Sequence, residues 1–483
     1  MLNKMRWRPV AVAAAIILFL SIGYWLTAGR RQASPGKALL RLSAGTIPCQ
    51  EQLELWQQFA PKIELEQIPG GDNMFDLMVQ VSAGQGPDLF CEITANTLDS
   101  AVASGILADL TPWIPETQLA QLPPAVREYI QPTYIDGNGE KRKILALWPS
   151  SMQQVFIIYN RTLMAKNGVP EPSSDLTWDE YIAKAAKLNA PPLPREAAPA
   201  CFGAIGVNAE MLLWQHGGDF FNRTGTECTL DRPEAVAAMA YYHQLIHRYR
   251  VEPVEAQSAW DQQMFRLELF MQGKVGMLWV SRGALYTLRR NLASRRNSEE
   301  DWQSQHPGMP YLGTRTFKIG ACLPPRFKDG KRWVNMAVTG VGVNRKSRQP
   351  EAAREFLRFL GNAAYQDSFR SYPVGMPPMR EFQNVEKLTA TEYSGETEIN
   401  ATAAAAVNFS RVRARSLFVP DSYVEREWQQ VRNAIGNDPQ MTPERIAAQL
   451  RELVRKIHQK RDQTLAHDRG LRKAYTEACA TIK

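Results

Sequence analysis

The stretch IELEQIPGGDNMFDLMVQVSAGQGPDLF, Ile63–Phe90, decides the fold class. Ile63 and Leu65 alternate with Glu64 and Glu66, the period-two pattern of a half-buried strand, and Pro69-Gly70-Gly71 ends it. Asp72 or Asn73 is placed to cap a helix over Met74–Ser82, Gly84–Pro87 breaks that helix, and Leu89–Ile93 reads as the next, fully apolar strand. Two strands joined by a helix pair in parallel, since a long crossover is what returns a chain to the same end of a sheet.

The alternation extends both ways. Upstream, Ala38–Leu42 reads as a strand and Gln50–Phe59 as an amphipathic helix; downstream, a helix over Leu98–Ser104 turns at Gly105 before Leu107–Leu110. A sheet built this way is covered by helices on its faces, which makes the chain α/β. Pro191, Pro192, Pro194 and Pro199 predict a loop insertion, while 232–250, 259–271 and 443–459 have the length and apolar spacing of helices. With 483 residues the chain exceeds one ordinary core, so at least two lobes are expected.

At the N-terminus Lys4, Arg6 and Arg8 precede an uncharged stretch from Pro9 to Gly29 that contains the apolar run Val10–Leu20. About 20 such residues suffice to cross roughly 30 Å of hydrocarbon, so a cleaved signal and an uncleaved anchor both fit. The small-residue pairs Ser21/Gly23 and Thr27/Gly29 are poor cleavage sites beside Tyr24, Trp25 and Leu26, which favours a retained membrane-spanning helix over residues 1–29, with 30–37 as linker. No cysteine follows the apolar run directly, the first being Cys49, so lipidation is not expected.

The formal charge of +8 is local. Residues 1–36 hold five basic side chains and no acids, which leaves 52 basic against 49 acidic, and the C-terminal stretch 460–483 accounts for the remaining excess. A nearly neutral body offers no broad surface for nucleic acid, and that tail reads as a solvated helix end. Six cysteines without CxxC spacing speak against zinc and against a disulfide scaffold; Cys201 and Cys228, which flank one compact segment, are the one pair suggested as a bridge. His243 and His247 share a helix face but lack the glutamate of a HExxH site, so no metal or other cofactor is expected.

Five ordered blocks carry a family resemblance: Ile63–Phe90 continued by SGILADLTPWI (Ser104–Ile114); ALWPSSMQQVFIIYNRTLMAKNGVPEPSSDLTWDEY (Ala146–Tyr181); WQHGGDFFN (Trp214–Asn222); FMQGKVGMLWVSRGAL (Phe270–Leu285); and AVTGVGVNRKSRQPEAAREFLRFL (Ala337–Leu360). Over residues 38–460 the chain resembles the family-1 extracellular solute-binding proteins of ABC importers, the group of maltose-binding protein. The resemblance implies the type II, two-lobed periplasmic-binding-protein-like fold, with lobe 1 from 38–146 plus 340–372 and lobe 2 from 147–339 plus 373–483. It also implies hinge crossings near 144–149, 334–343 and 372–377, closure around a solute, and a partnership with membrane permease subunits.

A sugar presents apolar faces and a rim of hydroxyls, so its receptor needs aromatic plates and neutral or charged hydrogen-bonding groups. The blocks nominate Glu92 and Asn96, with Thr94, after the third strand; Trp148 and Gln153, with Ser151, beside the first crossing; and Glu210 and Trp214 in lobe 2. Trp279 and Arg282 follow, then Asn335 with Trp333 at the second crossing, and Arg411 and Phe418 from the C-terminal segment. Gly283 falls where relatives place an aromatic contact, a departure from the usual sugar stack. No catalytic constellation or phosphate loop is present in the sequence. The expected role is therefore capture of a carbohydrate-like solute outside the cytoplasm for an importer, with a membrane-anchored ligand sensor or scaffold as the alternative.

Overall fold

A computed structural model describes residues 33–43, 49–68, 74–136, 138–192, 199–253, 263–305, 317–390 and 395–481. The proposed N-terminal anchor lies outside these residues. Among those described, no helix is long and apolar enough to cross a membrane.

The first sheet forms as the alternation predicts. β1 (Ala38–Ser43) is flanked in parallel by β2 (Ile63–Ile68), register Leu40 to Leu65, and by β3 (Leu89–Ile93). Leu40, Leu42, Leu89 and Phe90 are fully buried. Trp56, from the helix Gln50–Phe59, packs its ring on Phe356 and Phe359 at 5.2 and 5.4 Å and donates to the Ile63 carbonyl. Asp88 holds the entry to β3, accepting from the Arg41 amide and from Ser347 Oγ. A hairpin, β4 (Thr133–Ile135) and β5 (Lys141–Lys143), precedes the hinge.

The chain leaves this lobe through β6 (Trp148–Gln154) and continues as β7 (Phe156–Asn160) into a second sheet ordered β11-β7-β10-β9-β8. That sheet comprises β8 (Ala190–Pro192), β9 (Pro199–Ile205), β10 (Val275–Val280) and β11 (Ile319–Cys322) besides β7. β7 and β10 are buried along their whole length, which is why β10 reads as an unbroken apolar run and β7 as one up to its closing Asn160. β12 (Val334–Val343) returns to the first lobe, pairing antiparallel with β6 from Met336–Gln154 to Val341–Trp148 and then with β3. The short β13 (Ser410–Arg411) joins the opposite edge of β12 at Val334 and Asn335. The two-stranded ribbon β6/β12 thus connects two α/β lobes.

Several expectations change. The prolines at 191, 192 and 199 lie not in a loop but in the pairing of the edge strand β8 with the start of β9, where a missing N–H costs no ladder bond, and Pro194 lies outside the described residues. The stretch 443–459 continues as a helix to His467, and the supposed solvated tail holds a further helix, Arg469–Ala480. Ala474 and Ala478 on it are buried with Phe418 and Leu465 in a small core that also receives Ile135 from β4. Cys201 and Cys228 are free, buried thiols, so the suggested bridge is absent; burial pushes them up to about 11 and about 12. His243 and His247 bind the Asp438 and Gly436 carbonyls at 2.9 Å, a helix-packing role.

Candidate functional site

In open α/β sheets, solutes bind at the carboxyl ends of the strands. For the first lobe these are the loops after Ser43 and Ile68, outside the described residues, and the turn after Ile93. There the Thr94 amide donates to Thr97 Oγ1 and opens the helix Ala95–Ala103. Glu92 and Asn96 stand at this turn on backbone grounds; their side chains lie outside the described residues.

In the second lobe β9 ends at Gly206, whose φ of +104 lies in the left-handed region that favours glycine. Its amide donates to Glu252 Oε1, and Asn208 then caps the helix Ala209–Gln215 by accepting from the Met211 amide. The turn therefore sets Glu210 in a helical first turn.

The ribbon between the lobes carries neutral polar side chains. Ser151 and Thr339, cross-strand partners, share a hydrogen bond of 2.6 Å between their hydroxyls. Gln153 accepts from Ser281 Oγ at 3.0 Å and donates to the Val374 carbonyl at 3.2 Å, linking the hinge to the end of β10 and to the third crossing. Met152 and Met376 exchange backbone bonds, which ties that crossing to the ribbon.

Glu210 Oε2 accepts from Asn335 Nδ2 at 3.0 Å, and Oε1 lies 3.6 Å from Arg413. Burial pushes this carboxyl up to about 7, despite the opposing pull of Arg413. Arg411 sits with its guanidinium 5.4 Å from the ring centre of Trp214 and 5.1 Å from that of Trp333, and pairs with Asp219. Arg413 pairs with Asp421 and Glu425 and lies over Phe220; Arg415 pairs with Asp99 at 3.0 Å and lies over Tyr129. The alternation Arg411, Arg413, Arg415 was a legible period-two signal, yet Arg413 and Arg415 were not singled out from the sequence.

Four nominated side chains are enclosed by protein. Trp148 is 1% exposed within the first lobe's core. Trp214 is buried, with Arg411 beside its ring. Trp279 stacks on Trp178 and donates to Tyr181 at 2.8 Å. Arg282, 1% exposed, gives its donors to Asn400 Oδ1 and to the Gly375, Phe369 and Leu388 carbonyls. Gln153, Glu210 and Asn335 remain half-buried at the hinge. Phe418 is fully buried in the C-terminal core.

Residues 50–367 match the sequence profile of a family described as bacterial extracellular solute-binding protein. Among solved structures, an ABC substrate-binding protein from Listeria monocytogenes in complex with cycloalternan superposes with a TM-score of 0.66 at 20% identity, over 88% of this chain and 98% of that one. Maltose-bound MalE3 of T. maritima gives 0.62 at 19%, over 87% and 99%. The cyclic alpha-maltosyl-1,6-maltose binding protein from Arthrobacter globiformis gives 0.63 at 16%, over 87% and 99%.

Proposed function

Because the chain belongs to the bacterial extracellular solute-binding proteins, we propose that it captures a carbohydrate outside the cytoplasm, between its lobes, and presents it to the permease subunits of an ABC importer. The observation that carries this reading is the hinge floor: Gln153 and Thr339, half-buried on the ribbon, present neutral donors and acceptors and are bonded to the buried hydroxyls of Ser281 and Ser151. Hydroxyls and amides exchange hydrogen bonds with sugar hydroxyls without leaving a buried charge unpaired. Three of the similar structures are those of proteins described with cycloalternan, maltose and cyclic alpha-maltosyl-1,6-maltose, which supports a saccharide as the class to test first.

In this reading Gln153, Glu210 and Asn335 contact the solute, with Glu92 and Asn96 reaching it from the first lobe. Trp148, Trp214, Trp279 and Arg282 hold the walls. Binding requires no bond to be made or broken in the solute, so no catalytic residue is assigned. Closure moves the lobes about β6/β12 and the crossing at Met376, and water leaves the cleft as it shuts. We further propose that the apolar segment near the N-terminus keeps the protein at the outer face of the membrane.

A thermal-shift and calorimetric panel of malto-oligosaccharides, cyclic glucans and monosaccharides tests the solute class. A ligand at a hundredfold excess over its Kd adds about 2.7 kcal/mol of stability and a visible rise in melting temperature. Silence across the saccharides with a response to a peptide or polyamine would refute the carbohydrate reading. Mass measurement of the protein isolated from membranes tests whether residues 1–29 are retained.

A further inference from the structure

The loop 369–375, at the third crossing, is held from both lobes. Its ends are fastened to the first lobe and to the ribbon: Ser368 Oγ accepts from Gln52 Nε2 at 3.2 Å, Met376 exchanges backbone bonds with Met152 of β6, and the Arg380 amide donates to the Gln121 carbonyl at 3.1 Å. Its middle is gripped from the second lobe. Arg282, just past the end of β10, donates to the Gly375 and Phe369 carbonyls at 2.7 and 3.0 Å. Arg289 donates to the Arg370 and Ser371 carbonyls at 2.6 and 3.1 Å.

Arg289 lies in the helix Ala284–Gln305, three residues after Tyr286, so the two side chains share a face. Tyr286 is exposed, and its ring meets that of Tyr372, in the same loop, edge-on at 5.4 Å. The rest of the Arg289 guanidinium pairs with both carboxylate oxygens of Glu396, which is fully buried and also accepts from the Ala390 amide. Glu396 opens the helix Glu396–Ala406, and Glu398 in that helix accepts from the Ala321 amide of β11 at 2.9 Å. A two-pronged bond to a buried carboxylate fixes the plane of the guanidinium, and this aims its remaining nitrogen at the loop.

Rotation of one lobe against the other displaces atoms in proportion to their distance from the axis, and an N–H···O bond is lost once it is stretched past about 3.5 Å. Four such bonds, between a loop fastened to one lobe and side chains of the other, survive closure only where the axis runs close by. We infer that the grip of Arg282, Tyr286 and Arg289 on the loop 369–375 is the pivot of lobe closure, and that Arg289 is a positioning residue for it. With Arg289 in place the lobes turn about this point and β6/β12 without parting there; without it the second lobe swings about the ribbon alone. A loosened pivot populates lobe orientations that do not close on a solute, which lowers apparent affinity by the fraction that remains competent. The pivot rests on the closure reading above and adds to it where the axis lies and which side chain holds it.

The test is the distance between spin labels attached through keto amino acids at exposed Lys62 in the first lobe and exposed Lys187 in the second, measured by pulsed electron paramagnetic resonance on the sugar-free protein. Arg289→Gln/Glu396→Gln removes the ion pair as a unit, so that no buried carboxylate is stranded. Tyr286→Ala removes an exposed ring and leaves the charges in place. Arg326→Gln, which breaks a pair with Asp175 inside the second lobe, is the control. The expected result is a distance distribution broadened roughly twofold or more in the double variant, broadened less in Tyr286→Ala, and of wild-type width in the control. Because no sugar is present, a silent saccharide panel refutes the solute class alone. Wild-type width in both the double variant and Tyr286→Ala, or equal broadening in the control, would overturn the pivot and leave the solute class standing.

Discussion

Asn335, near the start of the hinge strand β12, donates to the carboxyl of Glu210 at 3.0 Å and so ties the ribbon to the first turn of the helix Ala209–Gln215. The hinge is therefore anchored in the second lobe by a titratable group whose burial pushes it up to about 7.

That anchor predicts a pH dependence. Glu210 is raised above its unfolded value of 4.5, so between 4.5 and about 7 the folded protein holds a proton that the unfolded chain has released. The contribution of this group to stability is thus most favourable below pH 4.5, falls as pH rises through that window, and is constant above it. Glu210→Gln keeps an acceptor for Asn335 and removes the slope. We expect a gain of about 1–2 kcal/mol over wild type at pH 8, the full shift being discounted for the nearby Arg413 and for residual exposure. Urea denaturation across pH 5 to pH 8 measures it, and a slope as steep in the variant as in wild type would place the titration elsewhere.

Arg282 is expected to act as a clasp between segments. Its guanidinium is buried with no carboxylate in contact among the described residues, joining the end of β10 to the Gly375 carbonyl of the third crossing, to Phe369, to Leu388 and to Asn400. Burial pushes it down to about 9. Arg282→Ala strands three carbonyls and opens a void, a loss of about 3–5 kcal/mol. A melting midpoint within a degree of wild type would refute this.

Trp148 is expected to report on stability rather than on solute. Its ring is enclosed in the core beneath the hinge, so Trp148→Ala should cost about 3–5 kcal/mol in denaturant unfolding. A variant of undiminished stability that has lost saccharide binding would return Trp148 to the cleft.

The C-terminal helix is expected to stabilise the first lobe's hairpin. Gly139, with φ +81, lies in the β4/β5 turn, where an added Cβ would come 2.8 Å from the Gly470 carbonyl; the rings of Phe418 and Tyr475 meet at 5.1 Å nearby. Gly139→Val should raise hydrogen exchange in both the hairpin and the helix Arg469–Ala480. Exchange raised in the hairpin alone would show that the helix bears on it weakly.

The first lobe was legible because its pattern is local. The period-two strand Ile63–Ile68, the glycine-proline breaks and the helix Met74–Ser82 each announce themselves within ten residues. The pairing of the edge strand β8 with β9 was missed because proline marks a loop unless the neighbouring strand is known. The helix Arg469–Ala480 was missed because its alanines become apolar anchors only against Phe418 and Ile135, distant in sequence.

For the site, the strand patterns marked the strand ends along the chain, and the family resemblance implied hinge crossings near 144–149, 334–343 and 372–377. It did not separate Gln153, Glu210 and Asn335, left half-buried at the ribbon, from Trp148, Trp214, Trp279 and Arg282, which are enclosed. A tryptophan or arginine has the same letter whether its face meets solvent or another side chain. What the sequence determined by itself was the order of strands and helices and the family they belong to, because backbone preference and hydrophobic period are local properties. Which side chains face the cleft, which cations find a partner and where the C-terminal helix rests were decided only by tertiary structure, because burial and charge pairing depend on residues far apart in the chain, as Asp99 and Arg415 are, 316 positions apart.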